Sequence, residues 1–229
     1  MPGLTLRLAC DENSIKKVKH LLDFLRNNWL PSEDTMNEYW NVREAKKFIR
    51  CATELREAGI KFRRGKGRNL FDIKFENGTL YIPAVNPEDR TEGLYRNIIA
   101  CEQFDDCLSP KFLTEYTTVM DCLIDTGKDV ELLCHKGIMD HWLGTDEATA
   151  KMFNRLGTEV IVDQKNFFYA KLFNDVNRHY YTPWNNRMAD LRHNYFNTPW
   201  ALFSFFAAAS LLILALLQTI FTSISTFRK

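Results

Sequence analysis

Between Arg192 and Arg228 the chain carries no Asp, Glu, Lys or Arg. Within that stretch, residues 199–221 read PWALFSFFAAASLLILALLQTIF. Apart from the Trp200 indole, only Ser204, Ser210, Gln218 and Thr219 are polar there. At about 1.5 Å per residue such a helix reaches ~34 Å, enough to cross a hydrocarbon core of about 30 Å. A soluble core helix rarely runs this long with an apolar surface all round. The segment therefore predicts one transmembrane helix, marked by Pro199, Trp200, Phe205, Leu212, Leu217 and Phe221. Pro199 suits the first helical turn, and Tyr195 and Trp200 suit an interfacial aromatic belt. Small hydroxyls can return their hydrogen bonds to the helix's own carbonyls. The lipid bilayer is the first expected partner.

Whole-chain averages conceal this segregation. The 229 residues include 30 Lys and Arg against 29 Asp and Glu, a net charge of +1. Mean hydropathy is -0.30, the value of an ordinary globular protein. With 45% hydrophobic residues, 10 Gly and 7 Pro, disorder and low-complexity architectures are excluded. Near-zero charge excludes a generally nucleic-acid-binding domain, so no nucleic acid is expected as a partner. Residues 1–9 have neither a charged n-region nor a long apolar core, so no signal peptide is read there. A late span without a signal predicts insertion after synthesis. About 190 residues, read as one helical domain over 1–194, then face the cytosol, while 195–229 form the anchor and its basic end. The plasma membrane is the candidate membrane. The six cysteines contain no CxxC pair, which fits reduced thiols and not a disulfide framework.

Hydrophobic spacing reads as mainly α. Ile15, Val18, Leu22, Leu25 and Trp29 predict an amphipathic helix over 14–30. Ala45, Phe48, Ala52 and Leu55 predict a second, ended by Gly59. Residues 61–68 then read as a basic, Gly-containing loop. Alternation in Phe71–Phe75, the Asn77-Gly78 turn pair and Leu80–Ile82 predict one β-hairpin, with Phe71, Ile73 and Phe75 facing the helices. Further helices are expected at 89–104, from Ser109-Pro110 to about Asp125, at 128–136, 138–143, 146–156 and 165–181. A last one begins near Trp184. Phe112, Tyr116, Val119, Met120 and Leu123 form an inward face of the second of these. The fold class is a helical domain with one small β-hairpin, followed by a single C-terminal transmembrane helix.

The chain contains no P-loop, GxGxxG, GxSxG or HExxH pattern. No catalytic residue and no cofactor is implied. Asp121 and Asp125 share a helical face and could hold a divalent ion, but such pairs are more often solvated. Cys134, His135, Asp140 and His141 are the densest group of ligand types. Their spacing matches no structural zinc pattern, so a surface helix and turn is the default and no metal is expected. Lys61, Arg63, Arg64, Lys66 and Arg68 place five cations in eight residues. They could meet anionic lipid head groups or an acidic protein partner, though a solvated loop is the plainer reading. Without interleaved aromatics they do not suit nucleic acid. In the apolar segment Ser204, Ala207, Ala208, Ala209 and Ser210 would allow lateral self-association of the helix.

Four ordered blocks carry a resemblance. They are Ala52–Phe62 (ATELREAGIKF), Ile82-Pro83 with Thr91-Glu92 and Arg96–Gln103 (RNIIACEQ), Tyr116–Leu143 with its MDCLIDT, DVELL and KGI strings, and Tyr195-Phe196 with Pro199-Trp200-Ala201 leading into Leu216–Thr219. Together they resemble the plant DUF247 family, also called UPF0481, over residues 15 to 225. The resemblance implies a plant membrane protein with a helical domain and a C-terminal anchor, and brings no established activity or catalytic residues. Some members are associated with self-incompatibility recognition in grasses, which implies recognition or scaffolding through protein contacts. Members are usually about twice as long and open with Pro-Arg-rich and Gly-Pro-Tyr-His-His-like motifs not found in this chain. The resemblance is therefore to the C-terminal half. The alternatives are a membrane-associated enzyme built around the Asp121–Asp125 or Cys134–His141 region, and a non-functional truncated copy.

Overall fold

The computed structural model describes residues 26, 29, 44–45, 47–67, 69–104, 111–158, 160–182 and 199–227. Their order is α1 (Ala52–Glu57), β1 (Lys61–Arg64), β2 (Lys74–Glu76), β3 (Thr79–Ile82), α2 (Asp89–Phe104), α3 (Phe112–Leu123), α4 (Gly127–His135), α5 (Asp146–Gly157), a 3-10 turn (Gln164–Asn166), α6 (Ala170–Tyr180) and α7 (Pro199–Phe227). The protein is thus mainly helical with one small sheet and an apolar C-terminal helix. Of the helix predicted over 14–30, only Arg26 and Trp29 are described, and both are helical. Ser109-Pro110, Trp184 and Tyr195 lie outside the described residues.

The hairpin forms where the Asn-Gly signature puts it. Asn77 and Gly78 take positive φ of 48° and 73°, the pair of left-handed conformations a two-residue hairpin turn needs. β2 and β3 pair antiparallel, with Phe75 opposite Leu80. Phe71 and Ile73 are buried as expected, but they precede the short β2, and Phe75 is only partly buried.

Two corrections concern the flanks of this hairpin. The first four residues of the expected basic loop are a strand. β1 pairs parallel with β3, with Phe62 opposite Leu80 and Arg64 opposite Ile82, so β3 is the central strand. The predicted helix through Ala45 and Phe48 is not helical at its described residues before the extended cap Cys51, and only Ala52–Glu57 is helical. The Glu44 and Lys47 carbonyls accept hydrogen bonds from the Asn174 and Asn177 amides of α6, at 2.9 Å each. Those bonds satisfy two backbone carbonyls that have no helical ladder.

α3 is the central helix, and every residue from Phe112 to Met120 is buried. Its tyrosine, Tyr116, meets the Phe71 ring edge-on at 5.8 Å. Lys111 offers no side-chain cap, so the bare N–H groups need another acceptor. Glu102 of α2 supplies it, accepting from the Thr114 N–H at 2.8 Å, the Leu113 N–H at 3.3 Å and the Thr114 hydroxyl at 2.7 Å. Arg26 Nε closes the buried pair on Glu102 at 3.0 Å.

Asp129 of α4 does comparable work for two helices. Its carboxylate accepts from Thr126 N–H at 3.0 Å at the start of α4, and from Thr53 N–H at 2.8 Å and Thr53 Oγ1 at 2.9 Å in the first turn of α1. The segment 138–143, expected to be helical, is instead a loop bridged to Val85 through Met139. The helix expected over 165–181 begins only at Ala170. Phe167, Phe168 and Tyr169 before it are all buried, a run that one face of a helix could not bury.

Candidate functional site

The basic segment is split by strand geometry. Phe62 points into the core while Lys61, Arg63 and Arg64 are exposed. Side chains alternate along a strand, so Arg64 shares the Phe62 side and Lys61 and Arg63 share the other. Arg68 lies outside the described residues. β1 is an edge strand, and cations on its outer side also discourage pairing with another chain.

Arg64 and Lys66 border a cleft of about 860 Å³. The exit of β3, from Pro83 to Glu88, forms one wall, and the start of α2 adds Arg90, Thr91, Leu94 and Tyr95. Trp29 and Leu70 complete an apolar side. Trp29 is held there by an edge-on contact with Tyr95 at 6.2 Å and by its carbonyl, which accepts from Asn69 Nδ2 at 3.2 Å. The cleft is therefore preformed on two sides.

Glycines let its basic rim fold tightly. Gly65 donates to the Ile82 carbonyl at 2.7 Å, and a Cβ there would sit 3.2 Å from the Ile82 and Pro83 backbone. A Cβ on Gly67 would run into the Asp72 carboxylate. Among the described residues, Arg64, Lys66 and Arg90 have no carboxylate partner, whereas Arg96 and Arg155 both pair with Glu92. Among the described residues Glu88 is the one carboxylate in the lining. Three cations with no carboxylate partner among the described residues thus border a concave, partly aromatic surface, an arrangement suited to an anionic group carried on an apolar body.

The other residues singled out from sequence separate. Asp121 packs its carboxylate against Gly157 of α5, where a Cβ would come within 2.5 Å. Burial first, and Asp125 second, push Asp121 up to about 6. Cys134 and His141 come together, joined by Asp146, which the sequence reading did not single out. His135 and Asp140 are exposed and stand outside that group. Burial, then Asp146 and Asp140, raise the Cys134 thiol, the reverse of what an activated nucleophile needs.

In α7, Phe205, Leu212 and Leu217 are 59%, 65% and 45% exposed. Pro199, Trp200 and Phe221 belong to the helix, but their side chains lie outside the described residues. Phe203–Ile220 is long and apolar enough to cross a membrane, and none of it is buried against the rest of the chain. Ser210 and Thr219 return their hydroxyls to the Phe206 and Ala215 carbonyls, at 2.8 Å each. Sequence reasoning missed Trp29, Arg90 and Tyr95 as cleft residues. They come from separate elements, and only their packing joins them.

The DUF247 family, described as "Plant protein of unknown function", matches residues 4–214. The UPF0481 protein At3g02645 of Arabidopsis thaliana is 31% identical over 185 residues, covering 79% of this chain and 35% of that protein. The UPF0481 protein At3g47200 of the same plant is 27% identical over 224 residues, covering 89% of this chain and 47% of that protein. The chain thus spans less than half the length of either relative. No solved structure matches it. With the family match running from before Cys10 into α7, the chain belongs to the DUF247 family of plant proteins.

Proposed function

We propose that this protein is a membrane-anchored recognition module. α7 spans a bilayer, possessing 18 consecutive helical residues of mean hydropathy 2.1 with no burial against the domain. Cys51, Cys122 and Cys134 are free thiols, which supports a domain on the reducing, cytosolic side. The plasma membrane is the membrane we assign.

The observation that carries the recognition reading is the convergence of Arg64, Lys66 and Arg90 on one cleft beside Trp29 and Tyr95. A flat bilayer surface does not enter a concave site, so an acidic segment of a partner protein suits it better than lipid head groups. An aromatic or aliphatic side chain next to the acidic group would fill the apolar side.

The test uses the full chain in nanodiscs and an array of acidic and neutral peptides, with and without aromatic residues. Acidic peptides with aromatics should bind and weaken with added salt. Arg64→Gln, Lys66→Gln and Arg90→Gln combined should weaken them at least tenfold, each lost cation contributing about 0.5 kcal/mol or more. Equal binding by the triple variant, or attachment only to anionic liposomes, would overturn the acidic-peptide reading. Tags at both ends with protease protection in plant membranes test the anchor separately.

A further inference from the structure

We propose that Cys134, His141 and Asp146 form a zinc(II)-binding site, independent of the basic cleft. The three residues come from three successive pieces of chain. Cys134 is in the last turn of α4, His141 is in the loop, and Asp146 opens α5. One donor atom from each lies within 4.8 Å of the others. Donors around tetrahedral zinc stand roughly 3.3–3.8 Å apart, given bonds of about 2.0–2.3 Å. Side-chain rotation of about an ångström therefore brings them to a common ion.

A thiol, an imidazole and a carboxylate are a borderline-soft donor set, which selects zinc over magnesium or calcium. The second observation is the histidine itself. His141 Nε2 meets Asp146 Oδ1 at 2.7 Å, and the side chain is only 14% exposed. Its Nδ1 is buried and has no hydrogen-bond partner. A buried ring nitrogen left bare is costly, and a metal ion would satisfy one nitrogen while the carboxylate orients the other. Asp146 can serve either as a ligand or as that orienting group.

The backbone around the cluster is fixed before any ion arrives. The loop is tied to the strand exit by Val85 N–H to the Ile138 carbonyl at 2.9 Å, Asp140 N–H to the Val85 carbonyl at 3.2 Å and Trp142 N–H to the Pro87 carbonyl at 2.9 Å. Thr145 caps α5 by accepting from Ala148 N–H at 3.1 Å. With Cys134 and His141 as donors, and Asp146 as a third donor or as the group that orients the ring, the ion keeps at least one position for water or an incoming ligand.

The experiment uses the full chain purified in detergent with a His-free tag, stripped of metal, then titrated with zinc(II) and with cobalt(II) as a spectroscopic probe. One zinc per chain is expected, with a thiolate-to-cobalt charge-transfer band. Cys134→Ser should abolish the band, and Cys134→Ser or His141→Ala should each weaken zinc at least tenfold. Circular dichroism of the metal-free variants separates lost binding from lost folding, and the wild-type band requires no variant. Absence of the cobalt band, or zinc binding unchanged in both variants, would overturn the site. Neither result bears on the cleft.

Discussion

Two buried carboxylates respond to pH in opposite directions. Burial acts first on Glu115 and pushes it up to about 8, against the hydrogen bond it accepts from Phe168 N–H. The folded protein therefore holds a proton between the ordinary value of 4.5 and about 8 that the unfolded chain has released. Stability should fall as pH rises through that window, and stop falling above it. Glu115→Gln should remove the slope and leave the protein more stable at pH 8, by on the order of 2–4 kcal/mol. Urea titrations from pH 5 to 9 check this, and a slope unchanged in the variant would reject it. For Asp129 burial again acts upward, but the hydrogen bonds from Thr53 and Thr126 prevail and hold it below its ordinary 3.8. Its contribution is present above that value and is lost as pH falls through the lower folded value. Asp129→Ala removes the shared acceptor of α1 and α4 and should cost about 2–4 kcal/mol in urea unfolding at pH 7. None of this was legible from sequence. Asp121, the acidic residue picked there for its spacing, sits against Gly157, while Asp129 and Glu102 are the carboxylates that organise helices.

At the scale of elements, legibility followed how local each cause is. α2 runs over Asp89–Phe104 as its spacing implies, and the hairpin turn follows from two residues whose chemistry requires positive φ. β1 was unreadable because KFRR holds one apolar residue and no alternation; it is a strand because β3 offers it an edge. Glu44 and Lys47 escape a local reading for a related reason, since the side-chain amides that bind their carbonyls lie 130 residues away. The basic cleft inherits both gaps, and only its Arg64 and Lys66 were visible in sequence. The turn offers a test at this scale. Gly78 combines φ of 73° with a Cβ direction only 3.0 Å from His179 Cε1 of α6. The same His179 ring meets Phe75 of β2 at 5.7 Å. Gly78→Ala should therefore strain the turn and push α6 from the hairpin, lowering stability by about 1–2 kcal/mol. Asn77→Gly keeps the turn and should stay within about 0.5 kcal/mol of the wild type. Equal thermal midpoints for both variants would contradict the account.

On the proposed membrane-anchored reading the whole molecule faces two solvents, and its averages describe neither. The domain buries its apolar residues around α3, while α7 presents Phe203, Leu211 and Leu212 at 65–69% exposure. In water that surface would be a large aggregation-prone patch; in hydrocarbon it is the favoured state. Ser210 and Thr219 bond back to their own helix, as polar groups in lipid must. A charge at Leu212, near the middle of the apolar window, distinguishes the two settings. On an insertion scale Leu212→Arg costs roughly 3–4 kcal/mol relative to leucine at a helix centre. A helix lying free in water would lose nothing and gain solubility. The variant should therefore move protein from the membrane pellet to the soluble fraction in plant cells, whereas Leu212→Ile should not. Domain stability, read from urea unfolding of the solubilised proteins, should be the same in both, since no described residue of the domain buries Leu212. If Leu212→Arg fractionates with membranes as the wild type does, and remains there after alkaline carbonate extraction, α7 is not what holds the protein to the bilayer.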